Sequence, residues 1–204
     1  MDRNYQKELD QLLGTLEMKA SRQSLLLHSC CAPCSSYVLA YLTQYFDITL
    51  FYYNPNIMPE DEYMKRLSEQ IRLLNEAYPN GTVRLIEGKY EPERFCEMVR
   101  GLEQEPEGGK RCFKCYEMRL QEAAKQAKEG GFDFFATTLS ISPHKNAAKL
   151  NEIGEAVGAQ YGIAHLPSDF KKREGYKKSI ELSKKYGLYR QNFCGCPFSQ
   201  LDDK

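Results

Sequence analysis

Residues 24–36 read SLLLHSCCAPCSS, and the fold turns on how this passage is read. The apolar run at 24–28 has the length of a strand and no polar alternation, as in strands buried on both faces of a parallel sheet. It stops abruptly in small residues, three cysteines and a proline. Val38, Leu39, Leu42, Tyr45 and Phe46 then recur at helical spacing, so a helix beginning near Ser35 follows. Strand, tight turn and helix open a βαβ unit. In open parallel sheets, ligands sit beyond the carboxyl ends of the strands. Cys30, Cys31 and Cys34 therefore fall where such a fold keeps its chemistry.

The alternation continues along the chain. Before the decisive passage, Tyr5, Leu9, Leu12, Leu13 and Leu16 predict an amphipathic helix over 4–18. After it, a second apolar run at 48–53 ends at the turn Asn54-Pro55-Asn56. A helix over 60–78 carries Tyr63, Leu67, Ile71, Leu74 and Tyr78 on its apolar face. A strand at 82–86 and a short helix at 91–100 follow. The charged stretch 103–111, with Pro106, Gly108 and Gly109, predicts a mobile loop. Cys112 opens a helix through Tyr116, Leu120, Ala123 and Ala127, stopped by Gly130-Gly131. A strand at 132–137, a helix at 145–157, a last strand at 162–166 and a basic helix at 171–186 complete the pattern. This predicts an α/β fold with a mainly parallel sheet and flanking helices. The expected organisation is an N-terminal helix over 1–20 and a single α/β domain over 21–204 that ends in the basic segment.

Composition narrows the class. In 204 residues, 28 Lys and Arg balance 28 Asp and Glu, so a nucleic-acid contact must come from a local patch. No apolar run approaches the roughly 18 residues of a membrane span, and the start Met1-Asp2-Arg3-Asn4 is no signal peptide; a cytoplasmic protein is expected. The sequence lacks the glycine-rich phosphate loop, the dinucleotide fingerprint and the Gly-x-Ser-x-Gly elbow.

Cysteine is the abnormal component. Of eight, seven lie within three residues of another: Cys30, Cys31 and Cys34; Cys112 and Cys115; Cys194 and Cys196. Cys96 stands alone and reads as a small buried hydrophobe. A vicinal pair plus Cys-x-x-Cys supplies four thiolates, which suit zinc or an iron–sulfur cluster. Adjacent cysteines rarely face one tetrahedral ion well, whereas a cluster offers each its own iron, which favours iron–sulfur. Backbone N–H groups at the start of the Cys112 helix would steady the charge. Cys194-Gly195-Cys196 reads as a redox pair or as extra metal ligands, against two buried tail thiols, because a ring across one residue is strained and readily reduced. Cys34 reads as a further ligand, a substrate-facing thiol or a helix-capping residue. His28, His144 and His165 have no metal-motif spacing and read as hydrogen-bonded residues. Residues 171–190 hold eight Lys and Arg against two Glu, a local charge of +6, with Tyr176, Tyr186 and Tyr189 interleaved. Taken alone the segment reads as a solvated helix face, but beside the Cys194 and Cys196 pair, cations for phosphates and rings for unpaired bases favour an RNA-binding edge, with Lys171, Lys172, Tyr189 and Arg190 as candidate substrate-binding residues.

Taken in order, the motifs His28-Ser-Cys30-Cys31-Ala-Pro-Cys34-Ser, Tyr53-Asn54-Pro55-Asn56-Ile57, Arg111-Cys112-x-x-Cys115-x-x-x-Arg119-Leu120, Thr137-Thr138-Leu139, Asp169-Phe170-Lys171-Lys172 with Gly175-Tyr176, and Leu188-Tyr189-Arg190-Gln191-x-x-Cys194-Gly195-Cys196 resemble the cobalamin-independent epoxyqueuosine reductases over residues 24–198. The resemblance implies reduction of epoxyqueuosine to queuosine at the wobble base of tRNA anticodon loops, with electrons from an external donor. It implies a fold related to the adenine-nucleotide α-hydrolase-like (HUP) fold, with cysteines where an ATP-using relative has its phosphate loop. It implies a 4Fe–4S cluster on Cys30, Cys31, Cys112 and Cys115, and a redox disulfide between Cys194 and Cys196. Cys34 leaves room for a second iron. Opening the epoxide also needs an acid, for which Asp169, or a tyrosine such as Tyr53, is the candidate. The competing readings are a cluster-dependent tRNA thiolase of the ATP-using fold and a zinc-binding RNA-interaction module.

Overall fold

The structure is a computed structural model that describes residues 3–18 and 21–199. Five strands, β1 (Gln23–Ser29), β2 (Phe46–Tyr52), β3 (Val83–Glu87), β4 (Phe134–Thr137) and β5 (Ala164–His165), form one all-parallel sheet in the order β3-β2-β1-β4-β5. The helices are α1 (Tyr5–Glu17), α2 (Ala32–Leu42), α3 (Glu60–Ala77), α4 (Pro92–Met98), α5 (Lys110–Glu129), α6 (Ala147–Tyr161) and α7 (Gly175–Lys185). The α/β class and the parallel sheet are as the sequence predicts. None of the helices is long and apolar enough to cross a membrane.

The central strand β1 explains why the core has two halves. Leu25 and Leu27 face one side with Leu9, Leu13, Leu39 and Leu42, while Leu26 faces the other with Tyr116, Leu120, Ala123 and Phe135. All three β1 leucines are fully buried, and at about 25 cal/mol per Å² each contributes about 2 kcal/mol of burial. The leucines of α1 belong to the same core cluster as β1. The expected boundary at residue 20 lies outside the described residues.

Chain order reverses at β1. From it the sheet grows through β2 to β3, then restarts on the other side with β4 and β5. The crevice between the carboxyl ends of β1 and β4 is the switch point, where open α/β sheets bind their ligands.

Several elements depart from expectation for visible reasons. Helix α2 starts at Ala32, three residues before the expected Ser35: Cys31 is extended at the N-cap and Pro33 is tolerated in the first turn. The basic helix starts at Gly175 rather than 171, because residues 171–174 form a turn in which Arg173 and Glu174 take positive φ. On α3, Ile71 is 37% exposed, whereas Arg66 and Gln70 are buried. The Arg66 guanidinium and Gln70 Oε1 find partners inside the protein, which rotates the buried stripe. The expected mobile loop at 103–111 is wrapped around a side chain: Arg111 is 1% exposed, and its Nη1 donates to the carbonyls of Glu103 (2.7 Å) and Glu105.

Candidate metal and redox site

A cavity of about 420 Å³ opens at the switch point. Its floor comes from the β1–α2 turn, which carries Cys30, Cys31 and Cys34. One wall is the segment after β4, from a single-turn 3-10 helix (Thr138–Ile141) to Lys145, and the opposite wall is the C-terminal segment from Arg190 to Cys194. The volume lies in the range of small-molecule sites.

The Sγ atoms of Cys30, Cys31 and Cys34 lie within 4.8 Å of one another, near enough for one metal centre. Cys30 and Cys31 are 3.6 Å apart. S–H groups of Cys31 and Cys34 pointing at Cys30 pull its pKa well below the ordinary thiol value, and Arg119 adds to this. Cys31 is in turn pushed up to about 12, chiefly by its bond to Cys30.

Cys112, Cys115 and Arg119 follow one another at i, i+3 and i+7, so α5 presents them on one face. The two cysteines sit in the first two turns, and Gly108 N–H donates to Cys112 Sγ at 3.2 Å. Burial pushes the Cys115 thiol up to about 12, against the pull of Arg119. Among the described residues, the group of sulfurs packed within 4.8 Å comprises Cys30, Cys31 and Cys34; Cys112 and Cys115 stand outside it. What links the two sets is Arg119. Its Nη1 lies 3.9 Å from Cys115 Sγ, and its charge is felt by Cys30.

Arg119 is 2% exposed and has no carboxylate partner among the described residues. Nη2 donates to Asn54 Oδ1 at 2.6 Å. Nε lies 3.3 Å from Nε2 of His28, a fully buried residue at the end of β1. That His28 nitrogen is also 3.0 Å from the carbonyl of Tyr53, and Nδ1 lies 2.9 Å from Thr137 Oγ1, so both ring nitrogens are engaged inside the protein. Burial and then Arg119 push His28 down to about 3. It is a neutral support, as its lack of motif spacing predicts. Among the described residues, Arg111 is a second buried cation without an acidic partner, and its Nε and Nη2 find no hydrogen-bond partner there. Lys145 is a third. Its Nζ is 2.9 Å from Glu107 Oε1 and 3.3 Å from Cys194 Sγ. Burial disfavours this ammonium, but Cys194, Tyr116 and Glu107 outweigh burial and raise its pKa. Three cations against one carboxylate, with two helix N-termini at the cysteines, make a surrounding suited to a negatively charged occupant. A metal centre ligated by several thiolates is such an occupant, and the all-sulfur donor set suits iron–sulfur or zinc.

The C-terminal segment is clamped by α3. Arg66, 2% exposed, donates from Nη1 to the Cys194 carbonyl (3.0 Å) and from Nη2 to that of Phe193 (3.4 Å), while its Nε binds Glu62 at 2.6 Å. Met58 N–H donates to the Gly195 carbonyl at 2.9 Å. Gly195 has φ +95, and a Cβ there would lie 3.2 Å from the Arg66 guanidinium. Cys194 lines the cavity and Cys196 is buried behind it.

The remaining sequence candidates are scattered. Arg190 lines the cavity and Lys172 is exposed. Lys171 is turned inward to Asp169 (3.0 Å) and the Ser140 carbonyl (3.3 Å). Asp169, held by that ion pair, is not in the cavity lining, and Tyr53 directs its hydroxyl to Glu91 (3.1 Å). Tyr189 is braced on α3, its hydroxyl on Glu62 and its N–H on Glu69. Lys145 and Arg66 are the residues that sequence reasoning missed. Arg66 left one readable signal, a charge inside the apolar stripe of α3; Lys145 left none.

A family model described as "Epoxyqueuosine reductase QueH" matches residues 25–202. Curated proteins bearing that same description are similar over nearly the whole chain. The one from Staphylococcus epidermidis is 46% identical over 203 residues, covering 97% of this chain and 85% of its own. That from Streptococcus pyogenes is 46% identical over 198 residues, covering 96% and 78%. That from Thermotoga maritima is 36% identical over 182 residues, covering 88% and 91%.

Proposed function

Because the chain belongs to the epoxyqueuosine reductase QueH family, we propose that it is an oxidoreductase that reduces epoxyqueuosine to queuosine in tRNA, at the switch-point cavity. The observation that carries the placement is a cavity of base size with the Cys30, Cys31 and Cys34 sulfurs in its floor and Cys194 in its wall. A volume of about 420 Å³ takes one modified base and no duplex, so the target nucleotide enters extruded, as a wobble base in a loop can at low cost.

The metal ligands in this reading are Cys30, Cys31, Cys112 and Cys115 for a 4Fe–4S cluster, with Cys34 available to a second iron. Such a centre supplies single electrons and, at an open iron, a Lewis acid for an oxygen. The chain's own residues do the rest. Arg119, Arg111 and Lys145 supply the positive charge that an anionic centre needs. Neutral His28 fixes the turn beneath it. Cys194 and Cys196 are the dithiol: closing to a disulfide releases two electrons and two protons, enough to turn the epoxide into an alkene and water. Lys145, an ammonium in the cavity wall, supports proton supply better than Asp169 does. Arg190 at the rim and exposed Lys172 face the RNA backbone of the anticodon loop. An external reductant restores the dithiol.

The test is nucleoside analysis of tRNA from cells lacking the gene. Epoxyqueuosine should accumulate and queuosine should vanish; unchanged queuosine overturns the proposal. Anaerobically purified protein should carry iron and sulfide, and zinc alone would overturn the cluster.

A further inference from the structure

The two thiols of Cys194-Gly195-Cys196 are not equivalent, and their surroundings assign them an order. Cys194 is half-buried, lines the cavity, and has the Lys145 Nζ at 3.3 Å from its sulfur. Cys196 is 5% exposed and lies outside the cavity lining. Nothing in the segment lets the pair exchange places. The Arg66 fork holds the carbonyls of Phe193 and Cys194, Met58 N–H holds that of Gly195, and the guanidinium closes over the glycine Cα. A planar fork with two fixed acceptors sets a direction as well as a position.

We propose that Cys194 is the sulfur that meets the substrate and later receives the external reductant, while Cys196 is the internal sulfur that closes and reopens the S–S bond. Lys145 and Arg66 are the positioning residues that set this order. The inference rests on the dithiol reading above and deepens it. In the forward direction both S–H bonds break, one S–S bond forms, and two electrons and two protons pass to the epoxide. Its two C–O bonds are replaced by a C=C bond, and the oxygen leaves as water. For return, the reductant is of the thiol class. Its thiolate attacks Cys194 Sγ, the S–S bond breaks, and Cys196 departs as a thiolate that takes up a proton. A second thiol then attacks the mixed disulfide and frees Cys194. Access decides which sulfur is attacked, and only Cys194 is reached from the cavity. Burial raises the Cys196 thiol overall, and the Phe198 backbone N–H, with Arg111 more weakly, opposes it, so the departing thiolate meets a donor and the field of a cation. One consequence is that reductant and substrate use the same opening in turn, so product must leave before the enzyme is recharged.

The experiment uses the full chain, purified anaerobically and treated with an aromatic disulfide probe such as 5,5′-dithiobis(2-nitrobenzoate), with the tagged peptide identified by mass spectrometry. Cys196→Ser should trap the probe on Cys194. Cys194→Ser should trap it on Cys196 at a rate lower by about tenfold or more, as burial demands. Lys145→Met should slow capture at Cys194, and Lys145→Arg should restore it, which a merely structural role would not do. Capture on Cys196 as fast as on Cys194 overturns the order, and indifference to Lys145→Met removes the lysine from it. Single-turnover epoxide reduction by the Cys194→Ser, Cys196→Ser double variant separates the two levels. Full activity there overturns the dithiol reading itself, whereas a wrong tagging order with that activity lost overturns the inference alone.

Discussion

Replacing Arg119 with methionine should do different things to the protein with and without its metal, and the size of the difference follows from the geometry. Arg119 is buried, its partners are Asn54 Oδ1 at 2.6 Å, His28 Nε2 at 3.3 Å and Cys115 Sγ at 3.9 Å, and Cys30 is also within its field. In metal-free protein with protonated thiols, the substitution loses the bond to Asn54 but also removes a buried charge that has no anion. These effects oppose one another, and the net change should stay within about 2 kcal/mol. With thiolates held on a metal, a unit charge at about 4 Å in a medium of effective dielectric constant about 20 is worth about 4 kcal/mol. That is about a thousandfold in metal retention. The assay is anaerobic competition against an iron chelator, with urea unfolding of the metal-free forms alongside. Arg119→Met should release iron at a chelator concentration lower by about three orders of magnitude while the metal-free unfolding midpoints stay close. Arg119→Lys, which keeps the charge and loses the Asn54 geometry, should fall between. A chelator midpoint within threefold of the parent protein would refute the reasoning. An equal loss of stability in the metal-free form would refute it too, by making Arg119 a packing residue.

Other consequences are as concrete. Burial of His165 pushes its pKa down to about 4. The native state therefore binds this proton less readily than the unfolded chain, and stability is lost as pH falls below 6.5. The loss reaches about 2 kcal/mol at pH 5, so the pH dependence of urea unfolding between pH 7 and 5 should flatten by that amount in His165→Phe; parallel curves would sink the assignment. Gly195→Ala forces a side chain onto a φ of +95 and against the Arg66 guanidinium. It should cost about 1–3 kcal/mol in thermal unfolding and slow closure of the Cys194–Cys196 disulfide, and a neutral effect on both would remove the clamp. Lys172→Gln with Arg190→Gln should reduce the slope of log affinity against log salt for an anticodon stem-loop by about 1.4, at about 0.7 per charge on single-stranded RNA; an unchanged slope would place the RNA elsewhere.

The sheet was legible because its strands are short apolar runs ending in turn residues, which burial between two helical layers demands. The place of the site was legible for the same reason: Cys30 and Cys31 follow the central strand directly. What remained hidden was contact between distant segments. Arg66 and Tyr189 are 123 positions apart on the chain, yet both belong to the clamp on the C-terminal segment. Ile71 read as core because hydrophobic periodicity counts apolar residues. The buried positions on that helix instead hold Arg66 and Gln70, the latter accepting from Ser29 and Ser35. Lys171 and Asp169 read as functional charges from their motif alone, and that they pair with each other across a turn was not readable there. Lys145 followed no pattern, since a lysine in a loop after a strand is ordinary until its ammonium is found beside a sulfur.

The neutral net charge of the chain conceals a separation that matters for how the site is built. Arg111 and Arg119 flank Cys112 and Cys115 on the same helix, and among the described residues neither cation meets a carboxylate. Burying a guanidinium without an anion is unfavourable by several kcal/mol, so an isolated α5 with this sequence would gain by turning the face to water. It stays buried because Leu120, Ala123, Ala124 and Ala127, a further two turns along, are locked into the core against β1 and β4. The apolar half of α5 therefore holds the charged half in place, ahead of any occupant. An anionic centre bound there would complete that arrangement, and the fold should then be most stable with the site filled. Removal of the metal should accordingly loosen the first turns of α5 and the loop wrapped around Arg111 while leaving residues 120–129 protected. Amide hydrogen exchange of the loaded and stripped forms reads this directly. Uniform loss of protection along α5 would mean that the helix is held by the metal rather than by the sheet.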